Sequence, residues 1–531
     1  MTADRALIVD LYGQPMKYAA SMGSSEPYRG ASSISDELAN YNPENLSPDA
    51  SILENRDLLV ARTRDLIRNN GFVNGAIQSG EDNVIGPRAP RLTATPDHKV
   101  IGISKEDARR IGREIETLWR TYTEDPDFYI DASMKQNFHG LSSTVYRMWA
   151  STGEILALPR WKPGRGSMFS TAVELVEPDH LSNPDDQADD DKIRGGVEIG
   201  SSYEANAYHL QSSHPGDVDF GQVEKTWTRF PRATPWGRRN VIHGFRMLRP
   251  RMTRGEPGTA SIIESCKMLD IYERAEAQTN IINSLHAAVI QSPYDDAMVD
   301  KSDQPMDLMQ QGLMRAKMHQ TRNITFGGSK ILQTYPGEEM KLLTNTRSNQ
   351  NFSMFEASFL RRIAAGLGRS YEQVSRDYSK TNYSSARASL LEAWKYSRGE
   401  LVFVTSYFYA QVYALWLEEV INRGLLSIPS GAKSFYQAKS AWCSSRWGGP
   451  GRGWIDPVKE AQAAAMRIAS GLSTLEDECA EQGKDYEVVI AQLAIEQQML
   501  KDAGLPPLNL EKMLGWMMSV EAPSDKENSN E

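Results

Sequence analysis

Cysteine is scarce in this 531-residue chain: Cys266, Cys443 and Cys479 are odd in number and too far apart for a CxxC pair. That excludes a disulfide framework and a zinc ribbon and points to a reducing compartment. Positive charge is also short, because 59 Lys and Arg against 69 Asp and Glu leave a net charge of −10. A surface built to hold nucleic acid tightly needs the opposite balance. No GxxxxGK followed by Ser or Thr is present, so the chain lacks the phosphate loop of a motor ATPase. HExxH and GxSxG are missing too, which removes the zinc-protease and hydrolase signatures. The histidines are scattered; His243 in an expected strand and His286 in an expected helix read as structural residues rather than bases. At the N-terminus, MTADRALIVDLYGQPMKY has no basic stretch followed by an apolar one, so no secretion signal is expected. A long uncharged run, Leu401–Leu417, contains Thr405, Ser406, Gln411 and three tyrosines. It falls short of the ~20 mostly apolar residues of a membrane span and reads as a helix buried within or between subunits.

What is present describes a globular chain. Hydrophobic residues make up 40% and charged residues 24%, enough for a sizeable core. The length allows about three or four structural units. The first fifty residues, rich in Ser, Asn, Pro and Tyr, read as a flexible arm. A helix is expected from Ser51 to Asn70, stopped by Gly71, then a short one over Asn74–Asn83. Ser104 caps a longer helix whose inner stripe is Ala108, Ile111, Ile115, Leu118, Trp119 and Tyr122. Another helix covers about Gln136–Thr152. Short apolar runs then predict strands at Ile155–Leu158, Ala172–Val176, Ala207–Leu210, Lys225–Phe230 and Val241–Leu248. Helices packed on these strands make an α+β region. From Thr259 to Gln291 no Gly or Pro interrupts the helical pattern, which predicts a rod about 50 Å long. An α/β insert over 292–350 and a returning helix from Asn351 to Gly366 complete a hairpin with a decorated tip. A further helix runs over Ser385–Arg423. Three more are punctuated by Asp456-Pro457 and Gly471, by a capping box at Ser473–Glu476 with Gly483, and by Asp485 with Gly504. The tail from Pro523 is polar and expected to be disordered.

Four segments carry candidate chemistry. Asp185, Asp186, Asp189, Asp190 and Asp191 form a carboxylate cluster without the EF-hand pattern, better read as a solvated loop than a cation site. Gly448–Gly453, flanked by Trp447, Arg452 and Trp454, fits neither common phosphate loop and reads as an aromatic-anchored connection. Between Arg229 and Arg254 lie eight arginines and no acid: Arg229, Arg232, Arg238, Arg239, Arg246, Arg249, Arg251 and Arg254. This stripe either tracks a nucleic-acid backbone or meets carboxylates of a neighbouring subunit, for example the Asp-rich loop. The polar loop Arg376, Asp377, Tyr378, Ser379, Lys380, Thr381, Asn382 joins two long helices and is suited to weak phosphate contact or to simple connection. No catalytic, metal or cofactor site is expected.

Five segments carry a family resemblance: ARTRDLIRNNGFVNGAI (Ala61–Ile77), HGFRMLRPRMTRGEPG (His243–Gly258), KMLDIYERAEAQ (Lys267–Gln278), FLRRIAAGLGRSYEQVSRDYSKTNYSSARASLLEAW (Phe359–Trp394) and GRGWIDPVKEAQAA (Gly451–Ala464). Through them the chain resembles the lambda-type bacteriophage portal proteins. The resemblance implies a non-enzymatic homo-oligomeric ring, usually of twelve subunits, at one vertex of the capsid in the virion, assembled in the host cytoplasm. Double-stranded DNA would pass through it without sequence specificity, driven by terminase and later ejected. Capsid and scaffold proteins would surround it, and head-completion and tail connector proteins would attach to it. The implied layout is an N-terminal arm (1–50), an α+β wing (51–258), stem helices (259–291 and 351–372), an α/β clip (292–350), a tunnel loop (373–384) containing Arg376–Asn382, a channel-to-wing helix (385–423), a helical wing and crown region (424–520) and a tail (521–531). A nucleic-acid enzyme and a membrane pore through Leu401–Leu417 are the alternatives. The first lacks its phosphate loop and converging carboxylates, and the second its apolar length.

Overall fold

The computed structural model describes residues 29–31, 38, 40–217, 225–284, 288–291, 310, 313–314, 317, 323–326, 329–332, 339–342, 352–379, 383–451, 457–484 and 486–506. Three helices open the body: α1 Pro48–Ile52, α2 Arg56–Asn69 and α3 Gly71–Val84. Strand β1 Arg91–Ala94 and helix α4 His98–Ile101 lead into the long helices α5 Lys105–Thr123 and α6 Phe138–Thr152. Seven antiparallel strands follow: β2 Glu154–Trp161, β3 Thr171–Leu175, β4 Ile193–Arg194, β5 Val197–Ile199, β6 Ala205–Gln211, β7 Trp227–Pro231 and β8 Ile242–Phe245. They form a three-stranded sheet, β3-β2-β8, and a four-stranded one, β4-β5-β6-β7. Helix α7 Ile263–Ser284 precedes four short strands: β9 Ala288–Gln291, β10 Asn323–Phe326, β11 Ser329–Leu332 and β12 Glu339–Leu342. Helices α8 Phe352–Gly366, α9 Tyr371–Ser375, α10 Tyr383–Val404 and α11 Ala410–Asn422 come next, then α12 Lys439–Trp442 and β13 Ser445–Gly448. Three helices close the described chain: α13 Pro457–Ala469, α14 Leu475–Glu481 and α15 Tyr486–Asp502. The class is α+β.

Local chemistry explains most boundaries. Ser104 accepts the Asp107 N–H at 3.0 Å and starts α5. Its expected inner stripe is buried except at Leu118, which is half-buried. Gly153 ends α6 at φ 80°, the left-handed stop that glycine favours. Four expectations need correction. Gly71 does not stop a helix; Asn70 turns extended, its side chain accepts the Val73 N–H at 3.0 Å, and Gly71 begins α3. The first long rod is about 33 Å rather than 50 Å, because helix α7 ends at Ser284. Ala288–Gln291, with Val289 and Ile290 in its middle, is instead a strand paired with β12. The capping box near Ser473 sits one residue on, with Thr474 and Asp477 as the reciprocal pair. Strands β1, β4, β5 and β13 form where no apolar run predicts a strand. Asp456 and Asp485 lie outside the described residues, as do Arg452–Trp454.

The core lies where α5, α6 and α11 meet. Trp119 is its hub, with ring centroids 5.1 Å from Trp416, 5.3 Å from Phe138 and 5.7 Å from Tyr413. Between α10 and α11 the helix passes through one π turn, Thr405–Tyr409, which carries the buried Phe408 and Tyr409. Leu401–Leu417 is thereby enclosed largely by its own subunit, with Val402 and Ser406 facing out. No described helix is long and apolar enough to cross a membrane. Trp447 on β13 packs on Tyr409 at 5.2 Å, which anchors the start of the Gly448–Gly453 segment.

Candidate DNA-channel loop

The loop that begins at Arg376 is built from its two flanks. Ser370 starts α9 with a capping box: its hydroxyl accepts the Gln373 N–H, and the Gln373 side chain accepts the Ser370 N–H. Arg376 ends α9 in the left-handed region, φ 57°, with its N–H donating to Glu372 O at 2.9 Å. Ser375 Oγ then accepts the Asp377 N–H at 3.2 Å, and Asp377 Oδ1 accepts the Ser379 N–H at 3.0 Å. These side chain-to-backbone bonds satisfy main-chain donors locally and leave Arg376, Asp377, Tyr378 and Ser379 exposed. Lys380, Thr381 and Asn382 lie outside the described residues.

Beneath the loop sits a buried anchor that sequence reasoning missed. Arg369 Nη2 donates to Glu400 Oε2 at 2.6 Å and to Tyr146 Oη at 2.9 Å, while Nη1 donates to Ser397 Oγ at 2.9 Å. The Tyr396 ring covers the guanidinium at 5.2 Å. A side chain on Gly80 would overlap both Tyr146 Oη and Arg369, so α3 meets this knot through a bare backbone. Burial pushes the Glu400 carboxyl above the usual carboxylate range, against the pull of Arg369. The knot joins the turn before α9 to α10 and to α6, and Ser389 Oγ donates to Glu372 Oε2 at 3.1 Å as a second clasp. Arg369 precedes the capping box immediately, but nothing local marks Glu400 or Tyr146 as its partners.

The eight arginines do not form one continuous strip. Arg254 is buried and donates to Glu154 Oε1 at 2.8 Å and to the carbonyls of Pro178, Leu181 and Gly195. Glu154 also takes Arg56 at 2.7 Å. Burial pushes its carboxyl up, but Arg254 and Arg56 overrule it and hold it well below the usual range. Arg254 therefore reaches neither DNA nor a neighbour. Arg238 is committed to Glu418 at 2.8 Å and to the Leu415 carbonyl, and Arg229 to Glu198 at 2.8 Å. Arg246 covers the Trp149 ring, Arg251 the Tyr203 ring, and Arg249 donates to the Leu46 carbonyl. Arg232 and Arg239 are half-buried, and neither has an ion-pair partner among the described residues. The spread has a simple cause: the segment crosses β7, a turn, β8 and a loop, so neighbours in sequence face different surroundings.

The Asp-rich segment is exposed, and two of its members serve the backbone. Asp190 Oδ1 accepts the N–H groups of Lys192 and Ile193, and Asp189 Oδ1 that of Gly195. A separate group, Glu177, Asp179 and His214, brings three ligand atoms within 4.8 Å. Arg64 already holds both Asp179 oxygens, at 2.9 and 2.7 Å. Gly216 N–H donates to His214 Nδ1 at 2.9 Å, and His214 Nε2 lies 3.2 Å from Glu177. Asp179 is thus already committed to Arg64, and Glu177 stands 3.6 Å from the same guanidinium.

Residues 35–400 match the family model of the phage portal protein, lambda family. Portal protein B of Escherichia phage lambda is 37% identical over 487 residues, covering 90% of each chain. The chain belongs to the lambda family of phage portal proteins. The portal protein of Escherichia phage N15 is 36% identical over 486 residues, covering 90% of this chain and 91% of its own. The lambda alignment is longer than the 35–400 match, so the similarity extends beyond that segment. A chain from the virion of a native gene transfer agent particle is 12% identical with a TM-score of 0.46, covering 82% of this chain and 95% of that one. As a portal protein the chain is a structural component of the virion and not an enzyme.

Proposed function

We propose that copies of this portal protein, twelve once assembled, close into a ring at one capsid vertex, and that its bore carries double-stranded DNA without sequence specificity. Terminase would drive DNA inward during assembly in the host cytoplasm, and the same bore would release it at ejection. Capsid and scaffold proteins would hold the ring. The segment 292–350 would act as the clip, meeting terminase first and head-completion and tail connector proteins later. Residues 51–258 would form the wing, 259–291 and 351–372 the stems, 373–384 the tunnel loop, 385–423 the channel-to-wing helix and 424–520 the rest of the wing and crown. The arm (1–50) and the tail (521–531) would flank them.

The observation that carries this reading is the 36–37% identity to two named portal proteins along nine-tenths of the chain. Charge makes physical sense of it. A conduit must encircle a polyanion without holding it, and every neutralised phosphate adds affinity through counterion release. Twelve copies at −10 each carry about −120, a field that repels the duplex from the wall. Arg376 and Lys380 then supply brief contacts at the loop. Apolar exposure points the same way: Met268, Ile271 and Ile281 on α7 and Met354 on α8 are more than half exposed in the single subunit. Such side chains await cover by another copy. Negative-stain imaging with light scattering on the purified protein tests the reading. Rings with a bore that admits a B-form duplex are expected. Only solitary particles, even with scaffold and shell proteins added, would overturn it.

A further inference from the structure

Arg232 and Arg239 are half-buried and have no ion-pair partner among the described residues. The two arginines sit on the two arms of one turn, one position out of step: Asn240 N–H donates to Arg232 O at 3.0 Å, and Ala233 bridges Arg239. Burial first, then Arg232, pulls the Arg239 guanidinium below its ordinary value. Two cations held together without an acid are destabilising unless something outside the subunit supplies one. Beside them Trp236 is 60% exposed.

Their place in the four-stranded sheet identifies the acid. Arg232 continues β7, the outer strand on one side, with its N–H on Asn206 O at 2.9 Å. The Asp-rich segment leads into β4, the outer strand on the other side. Following the pairing across β4, β5, β6 and β7 brings Lys192 level with Ala233, the residue after Arg232. Three strand spacings, about 14 Å, separate them. Asp191 is fully exposed, and its nearest cation, Arg194 at 3.8 Å, is also held by Asp49 at 3.3 Å. Asp185 is exposed as well, whereas Asp186 is occupied by Lys225. The segment entering one edge thus presents two exposed carboxylates, Asp185 and Asp191, and the opposite edge two guanidinium groups without an ion-pair partner among the described residues, with two strands between them. A head-to-tail contact between identical subunits is the arrangement that satisfies both edges, and repeated by rotation it closes a ring.

We infer that the β7 edge of one subunit, through Arg232 and Arg239, docks against the Asp185–Asp191 edge of the next copy. This rests on the ring reading above and specifies one of its contacts. In the full-length chain, R232E/R239E and D185K/D191K should each reduce ring formation at least tenfold by native mass spectrometry, more at low salt than at high. Combining all four substitutions should restore rings, because opposite charges again face each other. Far-UV circular dichroism controls for folding. D191C/R232C gives a second readout: oxidised rings should run as a ladder of crosslinked subunits without reductant. Wild-type rings together with intact R232E/R239E rings, or D191C/R232C rings that never crosslink, overturn this contact and leave the ring reading standing. R232E/R239E rings that assemble but fail to retain DNA also overturn it and assign the pair to the duplex. A wild-type chain that forms no ring sinks the channel reading and this contact with it.

Discussion

Glu154 shows how one residue ties the N-terminal half together. It is fully buried at the start of β2, takes Arg56 from α2 and Arg254 from the loop after β8, and accepts the Gly255 N–H at 2.6 Å. Glu154→Gln leaves two buried guanidinium groups without their counter-charge and should cost about 3–5 kcal/mol in denaturant unfolding at pH 7. The pH dependence has a definite sign. Because the folded carboxyl is held below its unfolded value of about 4.3, its contribution is complete above that value and is lost as pH falls toward the folded one. Between neutral pH and about pH 5 stability should therefore stay flat on account of this group, then decline below pH 4.5, and Glu154→Gln should remove part of that decline. At the loop, Arg376 is a left-handed residue whose backbone caps α9, a place asparagine tolerates. Arg376→Asn should leave the melting temperature within a few degrees and weaken DNA retention. Lys380→Glu should impair packaging or retention while rings persist, and normal packaging by that variant would remove the loop from the channel wall. Both variants are read by nuclease-protected DNA per particle.

At the scale of elements, burial of α11 decides stability. Trp416 is fully buried between Trp119, Tyr122 and Phe169, so Trp416→Ala should cost about 3–5 kcal/mol, measured as a shifted denaturation midpoint with an unchanged slope. Leu415→Asp, at a 2% exposed site, should prevent folding of the subunit itself rather than ring closure alone, since its surroundings belong to its own chain. The elements that sequence patterns revealed are those with local causes. Ser104 and the 3.6-residue stripe defined α5, and turn residues framed β2, β3 and β6. Strand β1 pairs with β13 across the chain, Arg91 opposite Gly448, and no local signal announces a partner more than three hundred residues away. Glu400 and Tyr146 escaped for the same reason, lying 31 and 223 residues from Arg369. The loop's position came from family resemblance, and its anchor needed three-dimensional neighbours. The arginine stripe failed as a unit because sequence proximity says nothing about which side of a strand or turn each guanidinium leaves.

For the whole molecule, the C-terminal helices pose the sharpest question. Helices α13, α14 and α15 contain no buried residue, and Leu472, Met466 and Met499 are 81, 57 and 64% exposed. Exposed ion pairs such as Arg446–Glu476 at 2.7 Å and Arg113–Glu487 at 3.2 Å tie them to the body. Pairs of this kind contribute about 0–1 kcal/mol each. Three helices whose apolar side chains stand open to solvent have little reason to hold their fold alone, because most helical stability comes from packing. In a ring, each such layer lies beside its copies and can share a core with them. Amide hydrogen exchange should therefore be fast across 457–506 in dissociated subunits and slow in rings, while α5 and α11, whose cores belong to one chain, are protected in both. Ile271→Glu on α7, at a 68% exposed site, provides the matching perturbation. It should leave the subunit's own melting within about 0.5 kcal/mol of wild type and shift the population toward monomers. Equal protection of 457–506 in both states would mean that this layer is stabilised without its neighbours.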